Sequence, residues 1–204
     1  MSGTFVVFEG GDGVGKSTQV DLLATFLDSS GIDHVVTREP GGTSLGTKLR
    51  PLILDHGHGD VAPRAEALMY AADKAQHMYE VVVPALKRGA VVVSDRYVDS
   101  MIAYQGAGRS LALDEVAMLA RWATENLRPH VTVLLDADPS EAVERIRVKD
   151  RLEEAGIDFH SRARAHLLHL AREDPERYLV LDARRPREEL AHTISSRVMA
   201  LVGR

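Results

Sequence analysis

The sequence predicts an α/β fold in which a five-stranded parallel sheet carries helices on both faces. Short apolar runs rich in β-branched residues alternate with longer segments of helical periodicity. The apolar runs are continuous, as expected for parallel strands covered on both faces, where an alternating pattern would indicate one solvent-facing side. The 204 residues are 45% hydrophobic and 27% charged, which is typical of one globular domain spanning residues 1–204.

Each predicted element follows from its local pattern along the chain. The predicted strands are 4–9, 34–38, 90–94, 131–136 and 178–182. The predicted helices are 16–29, 63–88, 112–127 and 186–202. In the first helix Val20, Leu23 and Leu27 recur at the spacing of one helical face. Pro84 is expected to kink the second helix, because proline lacks an amide hydrogen and crowds the preceding turn.

Composition excludes several classes of protein and favours others. The net charge of −5 argues against a nucleic-acid-binding protein, which usually carries a basic excess. No apolar stretch approaches the length of a membrane span. The absence of cysteine excludes a disulfide scaffold and a thiol nucleophile and fits a reducing compartment, and the N-terminus does not resemble a signal peptide. We therefore expect a cytoplasmic protein that binds neither nucleic acid nor membrane.

The segment GGDGVGKS at residues 10–17 is the strongest functional signal in the chain. It matches G-x-x-x-x-G-K-[ST] and lies between a predicted strand and a predicted helix, which is the context that a phosphate-binding loop requires. Glycines let successive backbone N–H groups point at phosphate oxygens, and the helix N-terminus adds a positive dipole end. The motif predicts a P-loop NTPase fold. The predicted nucleotide-binding residues are Gly10, Gly11, Asp12, Gly13, Val14, Gly15, Lys16, Ser17 and Thr18.

Two residues of this loop have chemical roles beyond the backbone cradle. Lys16 would contact the β- and γ-phosphates, and the Ser17 hydroxyl would be a ligand of Mg²⁺. Asp95, at the end of the third predicted strand, is placed to hold the same ion through water. The sequence therefore predicts ATP and Mg²⁺ as donor and metal, with Ser17 and Asp95 at the metal.

A second group of phosphate-binding candidates follows two other strands. The segments TREPGGT (37–43) and SDRY (94–97) lie at carboxyl ends of predicted parallel strands, where ligands bind in open α/β sheets. Arg38, Arg50 and Arg96 exceed what one nucleoside triphosphate needs, so they predict a second anionic substrate. The guanine-reading N-K-x-D motif is absent. This pattern favours a small-molecule kinase over a nucleotide-dependent switch without an acceptor, which remains the alternative.

Four motifs together give the chain its resemblance to the bacterial thymidylate kinases. They are FEGGDGVGKSTQ (8–19), TREPGGT (37–43), DRYVDSMIAYQG (95–106) and DRLE (150–153), in the order and spacing of that family. The resemblance covers nearly the whole chain. It implies transfer of the γ-phosphoryl group of ATP to dTMP with Mg²⁺, giving dTDP and ADP. It also implies a homodimer and a small mobile lid at about 141–157.

The resemblance implies a role for each residue of the acceptor site. The implied substrate-binding residues are Asp12, Arg38, Arg50, Tyr70, Lys74, Arg96, Tyr104 and Gln105. The three arginines would hold the acceptor phosphate, and Asp12 would contact the sugar 3′-hydroxyl. Tyr70 would stack on thymine with Gln105 beside the base, and Tyr104 would favour deoxyribose.

Two positions depart from the family pattern of base recognition. Lys74 stands where the family usually has an arginine that reads a thymine carbonyl, and lysine donates as a point charge where arginine donates as a fork. Met101 stands where serine or asparagine often binds the base. A kinase for another pyrimidine monophosphate, such as dUMP, therefore stays open beside the dTMP kinase.

Glycine at position 13, where some family members have arginine, implies that the lid supplies the catalytic arginine. Arg145 and Lys149 are four residues apart, as are Arg147 and Arg151, so a helix would carry two basic stripes. A solvated basic face remains an alternative for Arg145 and Arg147. The predicted catalytic residues are Lys16, Asp95, Arg96, Arg147 and Arg151.

Overall fold

The computed structural model describes residues 2–140 and 150–202. Five strands form one parallel sheet in the order β2-β3-β1-β4-β5. They are β1 (Thr4–Gly10), β2 (His34–Arg38), β3 (Val91–Asp95), β4 (Val131–Asp136) and β5 (Tyr178–Asp182). The predicted fold class is confirmed, and each predicted strand agrees with the structure to within one residue at either end.

Helices connect the strands in the described parts of the chain. They are α1 (Lys16–Ser29), α2 (Ser44–Leu54), α3 (Pro63–His77), α4 (Val83–Lys87), α5 (Val98–Met101), α6 (Leu113–Ala123), α7 (Ile157–Glu173) and α8 (Arg187–Met199). A π-helical segment, Met78–Val82, joins α3 to α4, and a second, Ile102–Gly108, follows α5. A short 3₁₀ turn covers His56–His58.

The helix predicted for residues 63–88 is divided at the place where proline occurs. Pro84 lies in the first turn of α4, directly after a π-helical turn, and its ring nitrogen has no hydrogen to donate to that turn. The π-helical turn immediately before it is the local irregularity that proline was expected to cause. α2, α5 and α7 are absent from the predicted helices. α2 contains Gly46 and Pro51, two poor helix formers, and α5 is a single turn. α7 is the longest of the three, with 17 residues.

The three central strands β1, β3 and β4 are buried on both faces, as their continuous apolar runs predicted, whereas the edge strands β2 and β5 are partly exposed. Along β1, Val6 and Phe8 belong to a core cluster with α1 and α8, whereas Phe5 and Val7 belong to a cluster with α4. This alternation follows from the two-residue period of a strand. Within residues 2–140 and 150–202, no helix has the length and hydropathy needed to cross a membrane.

The sheet order places two strand ends side by side at the centre of the molecule. β1 lies between β3 and β4 in the sheet. After β1 the chain forms β2 and β3 on one side of it, and after β3 it forms β4 and β5 on the other side, so the connections diverge at β1. Crevices outside such a switch point are the usual ligand sites of open α/β sheets. Phe8 of β1 pairs with Asp95 of β3, which brings the phosphate loop beside the SDRY segment.

Candidate active site

The loop between β1 and α1 requires its glycines. Gly10, Gly13 and Gly15 have φ of 133°, 76° and 98°, in the left-handed region that favours glycine. A Cβ at Gly10 would lie 2.3 Å from the carbonyl oxygen of Leu135 on β4, so a side chain there would displace the strand. The predicted phosphate loop is therefore a feature of the backbone and of its close packing on the sheet.

The Lys16 side chain folds back over this loop. Its Nζ donates to the carbonyl oxygens of Gly10 at 3.1 Å and Gly11 at 2.7 Å, and lies 3.9 Å from Asp12 Oδ1. Burial, reinforced by the nearby Arg96 charge, lowers the pKa of Lys16 below its usual 10.5. The ammonium group is thus held inside the loop, where the phosphates of a nucleotide would lie.

Ser17 and Asp95 form an oxygen pair at the edge of the loop. Ser17 Oγ donates to Asp95 Oδ2 at 3.3 Å, and Asp95 Oδ1 is buried without a hydrogen-bond partner in the described part of the chain. A buried carboxylate oxygen without a partner is unfavourable unless a ligand satisfies it. Hydroxyl and carboxylate oxygens are the ligands that Mg²⁺ prefers, so the pair fits the predicted metal.

Arg96 has a strained backbone that its neighbours hold in place. Its φ is 72°, a left-handed conformation that is unfavourable for a residue with a side chain. The Arg96 amide donates to the Phe8 carbonyl at 2.9 Å, and Ser94 Oγ donates to the Arg96 carbonyl at 2.8 Å. Strain of this kind is concentrated at functional sites, where it directs a side chain.

The Arg96 guanidinium connects the phosphate loop to the segment after β3. Nη2 donates to Asp12 Oδ1 at 2.5 Å, Nη1 donates to Ser100 Oγ at 2.8 Å, and the group lies 5.1 Å from the centre of the Tyr104 ring. Although burial alone would raise it, the charges of Arg96 and Lys16 lower the pKa of Asp12 to about 2. Asp12 is therefore an anion that orients the guanidinium.

Both predicted phosphate-binding groups line one opening, which we call the phosphate cleft. Its volume is about 740 Å³, and its walls include the loop residues Lys16 and Ser17 together with Arg38, Arg50 and Arg96. Arg38 is exposed, and Arg50 Nη1 donates to the Pro40 carbonyl at 2.7 Å. The structure thus brings together the residues that sequence patterns assigned to two separate anions.

A narrower opening, the inner pocket, continues from the phosphate cleft and shares Asp12, Arg50 and Arg96 with it. The other predicted substrate residues that line it are Tyr70, Lys74, Tyr104 and Gln105. Met101 lines it as well, as the departure from the family pattern implied. The inner pocket therefore contains every predicted acceptor-site residue except Arg38.

Lys74 makes contacts that sequence reasoning did not predict. It is 1% exposed, its Nζ contacts the Glu39 carboxylate, and it also donates to the Tyr97 carbonyl at 2.9 Å. His77 Nδ1 lies 2.7 Å from the other oxygen of Glu39. Although burial would raise it, the Lys74 charge and the His77 contact lower the pKa of Glu39. Lys74 is therefore the counterion of Glu39, and its contact with a base stays a prediction.

Replacing Lys74 is expected to affect stability as well as recognition. We predict that Lys74→Ala lowers the free energy of unfolding by about 3–5 kcal/mol, because Glu39 would remain buried without its ammonium partner. Urea unfolding followed by circular dichroism measures this change. Adding Glu39→Gln to Lys74→Ala should recover part of the loss, and an unchanged unfolding midpoint in the single variant would contradict this assignment.

The predicted lid falls partly outside the described residues. Arg147 lies in the segment that is not described, as do Arg145 and Lys149. Arg151 is described, and its guanidinium donates to the Ile53 carbonyl at 2.7 Å and to the Glu66 carboxylate at 2.5 Å. These contacts attach Arg151 to α2 and α3 and not to the phosphate loop. Its catalytic role stays a prediction.

Sequence reasoning missed the acidic residues that organise the site. Glu9, Glu39 and Glu66 are almost fully buried, and Glu153 lines both the phosphate cleft and the inner pocket. Burial raises the pKa of Glu9 to about 7, although the Arg96 charge opposes this effect. Glu9 and Glu39 lie inside the FEGG and REPGG motifs, which was a usable signal. Glu66 has no such signal, because its surroundings come from distant parts of the chain.

The phosphate loop and the arginine-rich second site share one cleft at the carboxyl edge of a parallel sheet. This arrangement defines the class of P-loop kinases that act on small phosphorylated acceptors. The match to a family model is more specific. The model described as thymidylate kinase matches residues 8–194, and the chain belongs to that family. The family membership that the four motifs predicted is confirmed.

Relatives over the full length agree with this membership. The chain is 58% identical to a thymidylate kinase of Cutibacterium acnes over 204 residues, which is 100% of each chain. It is 54% identical to a thymidylate kinase of Clavibacter michiganensis, covering 99% of this chain and 97% of the other. A solved thymidylate kinase structure from Ehrlichia chaffeensis superposes with a TM-score of 0.81 at 28% identity, covering 98% of this chain and 100% of that one.

Proposed function

We propose that the protein transfers the γ-phosphoryl group of ATP to dTMP, giving dTDP and ADP. The observation that carries this proposal is the single cleft that the phosphate loop shares with Arg38, Arg50 and Arg96. A donor and a phosphorylated acceptor bound there would have their reacting groups adjacent. The full-length relatives named thymidylate kinase support dTMP as the acceptor.

The chemistry asks the protein mainly for alignment and charge neutralisation. An oxygen of the dTMP phosphate forms a bond to the γ-phosphorus while the bond to the β–γ bridging oxygen breaks, and ADP leaves. The acceptor oxygen is already anionic near neutral pH, so no general base is needed. The loop N–H groups and Lys16 would bind the donor phosphates, and the three arginines would hold the acceptor phosphate.

Ser17 and Asp95 would hold Mg²⁺, because their hydroxyl and carboxylate oxygens are the ligands that this ion prefers. The bound ion would supply positive charge beside the donor phosphates. We predict that Asp95→Asn raises the Mg²⁺ concentration for half-maximal turnover by about tenfold or more, since amide oxygens are weaker ligands for hard cations than carboxylates. A Mg²⁺ titration of the steady-state rate measures this shift. Asp33→Asn, at an exposed position before β2, is the matched control. An identical Mg²⁺ dependence in the Asp95 variant would exclude this carboxylate from the metal site.

The direct test is a panel of nucleoside monophosphates assayed with ATP and Mg²⁺ for acceptor-dependent ADP release. The expected result is the highest kcat/KM with dTMP. A higher value with dUMP would replace dTMP as the substrate, in line with the departures at Lys74 and Met101. ATP hydrolysis that no monophosphate stimulates would overturn the kinase assignment and favour a nucleotide-dependent switch.

We also propose that the protein is a homodimer that uses α3 and α6. The two helices pack on each other, and a salt bridge at 3.7 Å joins Arg64 to Glu115 near their N-termini. Both helices also expose large apolar side chains, with Leu68 58%, Met118 67% and Trp122 77% exposed. Exposed aromatic and methionine side chains on adjacent helices are typical of subunit interfaces.

Trp122 gives a test of the dimer. We expect Trp122→Glu to shift the protein to a monomer in sedimentation velocity, because a charge would be buried between subunits. Trp122→Phe, which keeps an aromatic side chain, should remain dimeric. A Trp122→Glu variant that sediments as the same species as the unmodified protein would exclude this surface from the interface.

We further propose that the protein acts in the cytoplasm on small molecules, without nucleic-acid or membrane partners. The complete absence of cysteine and the net charge of −5 support this proposal.

A further inference from the structure

Glu66 of α3 accepts hydrogen bonds from three side chains, one of which, Gln105, lines the inner pocket. The Glu66 side chain is fully buried. Gln105 Nε2 donates to Oε1 at 2.9 Å, Arg109 reaches both oxygens at 3.2 Å, and Arg151 donates to Oε2. A buried carboxylate with this many donors is a rigid hydrogen-bonding unit, and one of those donors belongs to a residue that lines the pocket.

The Glu66 carboxylate determines which end of the Gln105 amide faces the pocket. A glutamine amide has one acceptor and two donors, whereas a carboxylate only accepts. The amide nitrogen of Gln105 must therefore face Glu66, and this chemical requirement assigns the two ends of the amide. The Gln105 oxygen has no hydrogen-bond partner in residues 2–140 and 150–202, and Gln105 lines the inner pocket. The group of Gln105 on the side away from Glu66 is therefore its amide oxygen, which is a hydrogen-bond acceptor.

We infer that Glu66 is a positioning residue that sets base selectivity by holding the Gln105 amide oxygen toward the acceptor base. This inference rests on the proposed function. A base that contacts this oxygen must then supply a donor, and the only N–H donor of thymine in a nucleotide is N3–H. Cytosine carries an acceptor at the same ring position, so two buried acceptors would face each other without a hydrogen bond.

The isosteric substitution Glu66→Gln makes a definite prediction because the arginines constrain the new amide. Arg109 and Arg151 only donate, and both of them bind Oε2, whereas Oε1 accepts from Arg109 alone among the arginines. The oxygen of the new glutamine should therefore face the Oε2 side, where it can accept from both arginines. Its nitrogen then faces Gln105, which must accept with its own oxygen and turn its nitrogen to the pocket. A donor would now face the base, which suits cytosine and opposes thymine N3–H.

The experiment compares kcat/KM for dCMP and dTMP, or competitive inhibition constants where a nucleotide is not turned over. Glu66→Gln should raise the dCMP-to-dTMP ratio by about tenfold or more. Loosening of Arg151 would affect both nucleotides alike, so it cancels in the ratio. Arg109→Lys is the matched control, since it alters a Glu66 contact but leaves the Gln105 contact in place, and its ratio should not change.

A double-mutant cycle separates this role from a purely structural one. In a Gln105→Leu background there is no amide to turn, so Glu66→Gln should no longer change the ratio. An unchanged ratio in Glu66→Gln, or an equal rise in Arg109→Lys, would overturn the inference. The proposed function has a separate test, which is turnover of dTMP by the unmodified protein. Its outcome does not depend on the ratios measured for the variants.

A second measurement applies if Glu66→Gln does not fold. N3-methyl-dTMP cannot donate at N3, so it should bind the unmodified protein at least about tenfold more weakly than dTMP in a competition assay. Equal affinity of the two nucleotides would show that no acceptor at Gln105 reads N3–H, and the inference would fail.

Discussion

Lys16→Ala is expected to lower kcat/KM for dTMP by about a thousandfold or more while leaving the fold intact. The ammonium group lies within the loop, bonded to the Gly10 and Gly11 carbonyls, and a bound donor would place its phosphates against the same group. Alanine removes this charge from a site where burial excludes water and so strengthens electrostatic interactions. Alanine is also a strong helix former, so the start of α1 should be retained.

Coupled ADP-release kinetics and thermal unfolding together check this prediction. Lys87→Ala, at an exposed position of α4, is the control for loss of a lysine charge. Lys16→Arg separates charge from geometry, because arginine keeps the charge but cannot fit the same pair of loop carbonyls. A Lys16→Ala variant that releases ADP at near the original dTMP-dependent rate would remove Lys16 from the donor site.

Arg96→Ala is expected to cause a loss of similar size, about a thousandfold in kcat. The guanidinium contacts Asp12 of the phosphate loop and Ser100 at the inner pocket, so we expect the transferred group to pass beside it between donor and acceptor. Its removal takes away a positive charge and leaves Asp12 without its hydrogen-bonded partner. Both effects should reduce stabilisation of the transition state more than they reduce binding of either nucleotide alone.

Arg96→Gly is the informative companion of this variant. Both substitutions remove the guanidinium, so both should lose the same activity. Glycine adopts φ of 72° without steric cost, so Arg96→Gly should be more stable than Arg96→Ala by about 1 kcal/mol. Equal stability would indicate that the backbone relaxes on substitution, and retention of activity by either variant would contradict the role of Arg96.

The predictable part of the site consists of residues close in sequence. The five strands and the phosphate loop follow from local patterns, because an apolar run and a glycine-rich turn are recognisable without their partners. The second cluster was found because Arg38 ends β2, Arg96 follows β3, and parallel strands end at one edge of the sheet. α2 was missed because Gly46 and Pro51 weaken its local signal, while its contacts with α3 stabilise it in the fold.

The amino-acid sequence by itself determined the fold class and the family of this protein and predicted its two anion sites, since each strand pattern and each motif that indicates them is local. Only the tertiary structure decided which donors face which acceptors. Glu66 meets Gln105 and Arg151 across separations of 39 and 85 residues, and Lys74 meets Glu39 across 35. A buried carboxylate must be matched by whichever donors the packing brings to it, and no local pattern specifies those partners.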